Sequence, residues 1–478
     1  MTYRATTAIV TALLAACTGT PPPISEVQLP TALPEHYGEA DAQPVGNDDR
    51  IAAEWWLEFN DLELNSFVEQ SLSRNQDLLA AAARLEAAVA QSRIASAPLS
   101  PQVDIGLDGG RNRRLFLGFP FGGFDIPGST TTTFGLSMSL GWELDVWGRL
   151  RADASAQLAE LQAQTADFSG ARLSLAAQTC RGYFAVAEAR QQLALARATA
   201  ANLQATANDV RDRFRRGVRP ALDIYQATTN LAEAESNIAR RERQLQVAIR
   251  QFEVLLGDYP DGQVLGTEVL TTTLPEVPTG LPSMLLNRRP DLAAAERRLA
   301  ASGCRVDAAK AALYPRFSLT ASGGTSSESL GDLLDDASNV WSIGGNILQP
   351  LLRGGALRAD IARNEALQRE ALANYGGSVL KAFAEVETAL AEGTWLAEQS
   401  QSARNAMTQA AQARDLARQR YQAGLSEFLV YADSQRQAFA TESSYITVQR
   451  LRIDNRIDLI LALGGGFETD PPEVQSTP

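Results

Sequence analysis

Reactive side chains are scarce in this chain, and their types exclude more chemistry than they offer. The one histidine, His36, lies in a Pro-rich stretch. A Ser-His-Asp relay, a helical H-E-x-x-H zinc site and histidine general-base chemistry therefore have no residue to run on. No G-x-x-x-x-G-K-S/T phosphate loop occurs. The net charge of −13 argues against nucleic acid, because phosphate binding needs clustered basic surface. Cys180 and Cys304 lie within helical patterns and far apart, so they read as small packing residues, not as a disulfide or metal pair. An enzyme is the least favoured reading, with no catalytic residues and no metal expected.

The third cysteine, Cys17, stands in a different context. Residues 1–16 carry one early cation, Arg4, and an apolar run from Ala5 to Ala16, too short to span a bilayer and fitting a signal peptide. The run ends Leu14-Ala15-Ala16-Cys17, which resembles the bacterial lipobox, where cleavage precedes the cysteine and the thiol is lipidated. A covalent lipid on Cys17 is the only non-protein group expected. In such lipoproteins an Asp after the cysteine tends to retain the protein at the inner membrane; Thr18 stands there, which favours the outer one.

These residues are positioned by a chain that repeats itself. Gly148, Leu150, Arg151, Ala152 and Asp153 recur as Gly355, Leu357, Arg358, Ala359 and Asp360, while Arg213 and Gly217 recur as Arg420 and Gly424. The offset is constant, 355 − 148 = 424 − 217 = 207, so the Pro-free segment between has the same length twice. As a helix from Arg149 to Arg215 it would measure about 100 Å. Upstream, Asp77, Arg84, Leu85 and Pro101 return as Asp291, Arg298, Leu299 and Pro315 at an offset of 291 − 77 = 214, leaving 214 − 207 = 7 extra residues in the first copy.

Strands are expected around that insertion. Val103, Ile105 and Leu107 alternate with Asp104, Gly106 and Asp108, and Phe134, Leu136, Met138, Leu140 and Trp142 alternate with small or polar residues. Phe317, Leu319 and Ala321, then Trp341 and Ile343, repeat the pattern. Such faces suit lipid outside and water inside, although a soluble half-buried sheet alternates in the same way. Four strands cannot close a barrel, whereas three chains would give 3 × 4 = 12. The loop with Leu115, Phe116, Leu117, Phe119, Phe121 and Phe124 is read as the longer external loop.

The expected organisation is a signal peptide at 1–16, a tether and belt segment at 17–62, repeat 1 at 63–257, a connector at 258–283, repeat 2 at 284–463 and a tail at 464–478. Each repeat holds a half-length helix, a β-hairpin (102–145 or 316–352), a long helix, a tip (214–222 or 421–429) and a return helix. The first half-length helix is expected as one piece, from about Leu64 to Ala97. Toward the tip, Val186, Leu193, Ala200, Ala207 and Phe214 form one heptad register and Ala189, Ala196, Leu203 and Val210 the other. Gly217 and Gly424 suit the left-handed residue that ends a helix, and Ser426 could cap the next one.

Trp55-Trp56 with Phe59, Asn287-Arg288-Arg289-Pro290-Asp291-Leu292, Trp142-Glu143-Leu144-Asp145 before Gly148-Arg149, and Gln349-Pro350-Leu351 with Gly354-Gly355 together resemble the TolC/OprM outer-membrane efflux channels, in particular their NodT-type lipoprotein branch. The resemblance implies a mainly α fold with a β part: a homotrimer whose duplicated hairpins form an α-barrel in the periplasm, joined to a twelve-stranded transmembrane β-barrel. It implies passive conduction of drugs or other small molecules from an inner-membrane pump through a periplasmic adaptor. In that family the tips meet the adaptor, so Gly217, Val218, Gly424 and Leu425 become candidate contacts. The pore constriction falls on Leu429 and Asp433, and Asp223 and Tyr421 match positions whose bonds hold related gates shut. This chain departs from the best-known gate at Ser426, where an arginine stands, and at Val430, where an aspartate stands. The alternatives are a protein-secretion duct of the same build, or an adaptor lipoprotein, which would need only one hairpin.

Overall fold

The structure is a computed structural model that describes residues 51–114, 128–264 and 288–466, together with Pro22, Gly266, residues 269–271, Leu274 and Val277. Cys17 and the aromatic loop at 115–124 lie outside the described residues. In order, a 3-10 helix (Trp55–Phe59) precedes α1 (Leu62–Arg74), α2 (Gln76–Ser96), β1 (Gln102–Arg114), β2 (Ser129–Leu144), α3 (Arg149–Arg215) and α4 (Ala221–Leu256). The second half follows as α5 (Pro290–Ala311), β3 (Arg316–Ser327), β4 (Asn339–Leu348), α6 (Ala356–Gln422) and α7 (Phe428–Ala462). Helices α3 and α6 each have 67 residues, and both of their ends differ by 207.

The chain divides into two compact units. One holds, among the described residues, 86–114, 128–164 and 295–375 and is built on an antiparallel sheet in the order β1-β2-β3-β4. Register sorts its side chains by face. Val103, Leu140, Ala321 and Ile343 align in one row, and Ile105, Met138, Gly323 and Trp341 in the next. On the opposite face Asp104, Ser139, Ser322 and Ser342 align, with Ser322 Oγ and Ser342 Oγ hydrogen-bonded at 2.8 Å. The apolar row is not a covered core, since Ile105, Trp341 and Ile343 are all more than 70% exposed in the single chain. No described helix is long and apolar enough to cross a membrane.

The strand-to-helix corner shows what the Trp142–Arg149 stretch does. The Asp145 carboxylate accepts the Leu150 and Arg151 amides at 3.0 and 2.9 Å, satisfying donors that open α3. Glu143 pairs with Arg149 at 2.8 Å, Trp142 Nε1 donates to the Leu99 carbonyl, and Trp147 stacks on Tyr314. The helix therefore leaves the sheet in one fixed direction.

The second unit holds, among the described residues, 51–85, 165–264, 288–294 and 376–466. Its core gathers Trp55, Trp56, Phe59, Leu64, Val68, Cys180, Tyr183, Phe184 and Phe252. The Tyr183 hydroxyl donates to Asp61, whose other oxygen caps α1. The duplication is visible in its hydrogen bonds. Asn75 Nδ2 donates to the Leu255 carbonyl, and Arg289, 214 residues on, donates to the Ala462 carbonyl, 207 residues on. Gly257 and Gly464, both at positive φ, lie so close to the Arg74 and Arg288 carbonyls that a Cβ would stand 2.6 and 2.1 Å from them.

One expected element is corrected. The 64–97 helix is broken at Asn75, whose ψ of 127° is extended and whose Oδ1 caps α2 by accepting the Asp77 amide. The half-length helix is thus α2 alone, 21 residues against 22 in α5. Its length is about 32 Å, not about 50 Å.

Candidate functional site

Both tips of the second unit are built from one backbone device. At the first, the Gly217 amide donates to the Phe214 carbonyl at 2.8 Å and the Val218 amide to Arg213 at 3.0 Å. At the second, the Gly424 amide donates to Tyr421 at 3.1 Å and the Leu425 amide to Arg420 at 2.8 Å. These paired bonds form a Schellman motif, which satisfies the last helical carbonyls and needs a left-handed residue at the turn. Gly217 and Gly424 supply it, with φ of 77° and 75°. Ser426 does not cap α7; Glu427 holds the cap position without a side-chain bond. The turns leave apolar side chains in solvent, with Val218 65% and Leu425 71% exposed.

Behind the turns lies a small core of Ala207, Val210, Ala227, Ala417, Tyr421, Phe428 and Tyr431. Both heptad registers run into it, although Phe214, the last residue of one register, is 42% exposed. Tyr421 is central. Its ring stacks on Tyr431 at 5.5 Å and meets Phe428 edge-on at 5.8 Å. The guanidinium carbons of Arg213 and Arg219 stand 4.9 and 4.8 Å from its centroid. Its hydroxyl is buried with no hydrogen-bond partner among the described residues, so Tyr421 and Asp223 are not bonded to each other. Gln435 donates to the Tyr431 hydroxyl at 2.9 Å and to Thr206 at 3.2 Å, tying α7 to α3.

Arg219 joins the two turns. Its Nη2 donates to the Ser426 carbonyl at 3.1 Å while its charge lies against Tyr421 and faces Asp223. Asp223 sits on the buried side of α4 with Ala227. Burial pushes its carboxyl above the usual range, Arg219 opposes that rise, and Glu427 adds to it. The Tyr421 hydroxyl is pushed up by burial too, against the pull of Arg213 and Arg219.

Leu429 and Asp433 share another face. In the first three turns of α7 the buried positions are Phe428, Tyr431, Gln435 and Ala438, which leaves Leu429 and Asp433, one turn apart, both exposed. The two residues expected at the constriction, Leu429 and Asp433, are thus exposed, and the two expected to hold the gate, Asp223 and Tyr421, are buried. Reading the sequence missed three cations: Arg213 and Arg219 against Tyr421, and Arg436, which pairs with Asp433. Arg436 lies at i+3 from Asp433, a spacing that could have revealed it.

A cavity of about 760 Å³ lies elsewhere in the same unit, lined in part by Arg181, Arg289, Lys381, Glu385 and Asp458. Its charges are matched within the chain. Arg289 pairs with Asp291 at 2.8 Å and Glu385 at 2.7 Å, Arg181 pairs with Asp458, and Lys381 lies 3.8 Å from Glu385. No group of His, Cys, Asp and Glu among the described residues could hold a metal ion.

Two helical hairpins with glycine-built turns, and a four-stranded open sheet to which each repeat contributes two strands, define a duplicated channel protomer. The chain belongs to the outer membrane efflux protein family, whose profile matches residues 67–258 and 281–465. It is 34% identical over 469 residues to the pyoverdine export outer membrane protein OpmQ of Pseudomonas putida, covering 96% of each chain. Against the outer membrane protein OprJ of Pseudomonas aeruginosa it is 32% identical over 422 residues, covering 87% of this chain and 86% of that one. The open-state structure of the Neisseria gonorrhoeae outer membrane channel MtrE superposes with a TM-score of 0.79 at 26% identity, over 95% of this chain and 99% of that one. The protein is an outer-membrane efflux channel and not an enzyme.

Proposed function

We propose that three copies of this chain form the outer-membrane conduit of a tripartite pump and carry small molecules handed on through a periplasmic adaptor. The observation that carries this reading is the pair of open edges on a two-faced sheet. Among the described residues, strands β1 and β4 each pair on one side only, and their free amides and carbonyls would cost several kcal/mol each in hydrocarbon. Joining β1 of one copy to β4 of the next removes all edges and gives a closed barrel of 3 × 4 = 12 strands. The apolar face then meets lipid, and the face with Asp104, Ser139, Ser322 and Ser342 lines water. The helices leave from the other end of the strands and enter the periplasm. Small-molecule cargo is favoured over protein because relatives such as OpmQ are named for pyoverdine export and not for protein secretion.

The tips serve two roles in this reading. Val218 and Leu425, held out by Gly217 and Gly424, are the apolar contacts offered to the adaptor. Leu429 and Asp433 narrow the pore, with Arg436 offsetting part of the acidic charge, while Asp223 and Tyr421 belong to the packing that holds the tips together. Cys17 carries the lipid that tethers the N-terminus to the outer membrane. Native mass measurement of detergent-extracted protein tests the assembly and the anchor together. A trimer whose protomers begin at Cys17 with an acyl increment is expected; a monomer overturns the channel closure, and an unmodified Cys17 overturns the anchor.

A further inference from the structure

The apolar face of the sheet ends in charge at one corner. Register puts Val103, Ile105, Leu107, Gly109, Arg111 and Arg113 of β1 on the same side as Phe134 to Leu144 of β2, Phe317 to Ala321 of β3 and Trp341 to Ile347 of β4, taken at every second residue. Every acid in the sheet, Asp104, Asp108 and Glu143, is on the other face. Arg111 and Arg113 are thus the only ionised side chains on the greasy side of the four strands. Both are exposed, and no ion pair holds either among the described residues.

Their height is set by the same register. The apolar rows run from Leu144 to Phe134, 144 − 134 = 10 residues. At about 3.4 Å per residue and a tilt near 40°, that band is about 26 Å tall, the thickness of an outer-membrane hydrocarbon core. Phe134 is opposite Gly109 and marks the top row; Arg111 and Arg113 are opposite Thr132 and Thr130, the next two rows on that face. They stand at the end of the sheet away from α2 and α3, just beyond the hydrocarbon. Two like charges about 7 Å apart on one strand face repel each other unless an anion lies between them. At that depth the available anions are the headgroups of the outward leaflet.

We propose that Arg111 and Arg113 form a binding site for the phosphate groups of an outer-leaflet glycolipid, one site per protomer. Each guanidinium offers forked donors that match phosphate oxygens, and the neighbouring apolar rows accept the acyl chains. The site belongs to the first repeat alone, because the corresponding residues of β3, 214 further on, are Thr325 and Ser327. The leaflet assignment rests on the orientation proposed above; phosphate recognition itself does not.

The test uses purified full-length trimer in detergent, with a diphosphorylated glycolipid and its dephosphorylated form as probes, read by native mass spectrometry. The diphosphorylated form should be retained and the dephosphorylated one lost; equal retention overturns the proposal without any variant. Arg111→Gln with Arg113→Gln should weaken retention roughly 30-fold at low salt, at about one kcal/mol per cation. Arg114→Gln, one residue on and on the watery face, should leave it unchanged. Wild-type retention by the double variant, or equal loss in Arg114→Gln, overturns the site. Excess inorganic phosphate should not displace the lipid, and full displacement would make this a free-anion site instead. Labelling of Arg113→Cys on intact cells by an impermeant maleimide reports the orientation separately: labelling supports the outward leaflet, and protection overturns that assignment whatever the binding result.

Discussion

Removing the Arg219 guanidinium should loosen the packing of the tip more than any other single change there. Its contacts cross between the repeats: one hydrogen bond to the Ser426 carbonyl at 3.1 Å, and a cation 4.8 Å from the Tyr421 centroid. Tyr421 is 1% exposed, so the ring contact is sheltered and is worth about 1–2 kcal/mol, and the charged hydrogen bond about 1.5 kcal/mol. Arg219 is itself only half-buried, and screening brings the total to about 2 kcal/mol per protomer. A change of that size moves an open-closed equilibrium roughly 30-fold. Arg219→Ala in planar bilayers should therefore show higher open probability than wild type. Arg219→Lys keeps the charge but loses the planar stack and the fork, and should fall between the two. Wild-type gating in Arg219→Ala trimers of normal mass would show that this contact holds the turn shape only.

Three further outcomes are expected at the tips. The folded state holds Asp223 above its ordinary value of 3.8, so it binds the proton more tightly than the unfolded chain and stability falls as pH rises through that window; Asp223→Asn should raise thermal stability at neutral pH and leave it unchanged at strongly acid pH, and equal melting at both would refute the argument. Leu425→Arg, placed on a residue 71% exposed, should abolish efflux while leaving trimers in the outer membrane, whereas normal efflux would leave the turn with a geometric role alone. Asp433→Ala with Leu429→Ala should raise single-channel conductance and weaken cation preference, while Arg436→Ala, which frees Asp433 of its partner, should strengthen that preference; unchanged conductance in the double variant would move the constriction elsewhere.

What the sequence made legible about the fold follows from duplication. A constant offset of 207 predicted two helices of one length, and both have 67 residues because nothing between their ends was inserted. Alternation located the strands because register makes side-chain period and sheet face the same thing. The break at Asn75 was not visible, since Arg74-Asn75-Gln76-Asp77 reads as an ordinary polar helix surface and the bond that stabilises the break reaches Leu255, 180 residues away. The second repeat held the missing signal. Gln76 corresponds to Pro290, which opens α5, and a proline at the first helical position marks a boundary that its counterpart shares.

The tip divides along the same line between local and distant causes. Gly217 and Gly424 were legible because a Schellman turn needs a left-handed residue wherever it occurs. The cation against Tyr421 was not, because a single tip read alone shows Ser426 where the resemblance implies an arginine. Adding the offset resolves the departure: 219 + 207 = 426, so Arg219 holds in the first repeat the position that Ser426 holds in the second. Likewise 223 + 207 = 430, and Asp223 is the first-repeat counterpart of Val430. Both polar residues missing from the second turn thus stand at the matching places of the first. The geometry brings them back to the same ring, since Arg219 reaches across to the Ser426 carbonyl and lies against Tyr421. A duplicated scaffold makes this possible: two turns with the same backbone face each other across one small core, so a charge entering from either repeat can serve the pair.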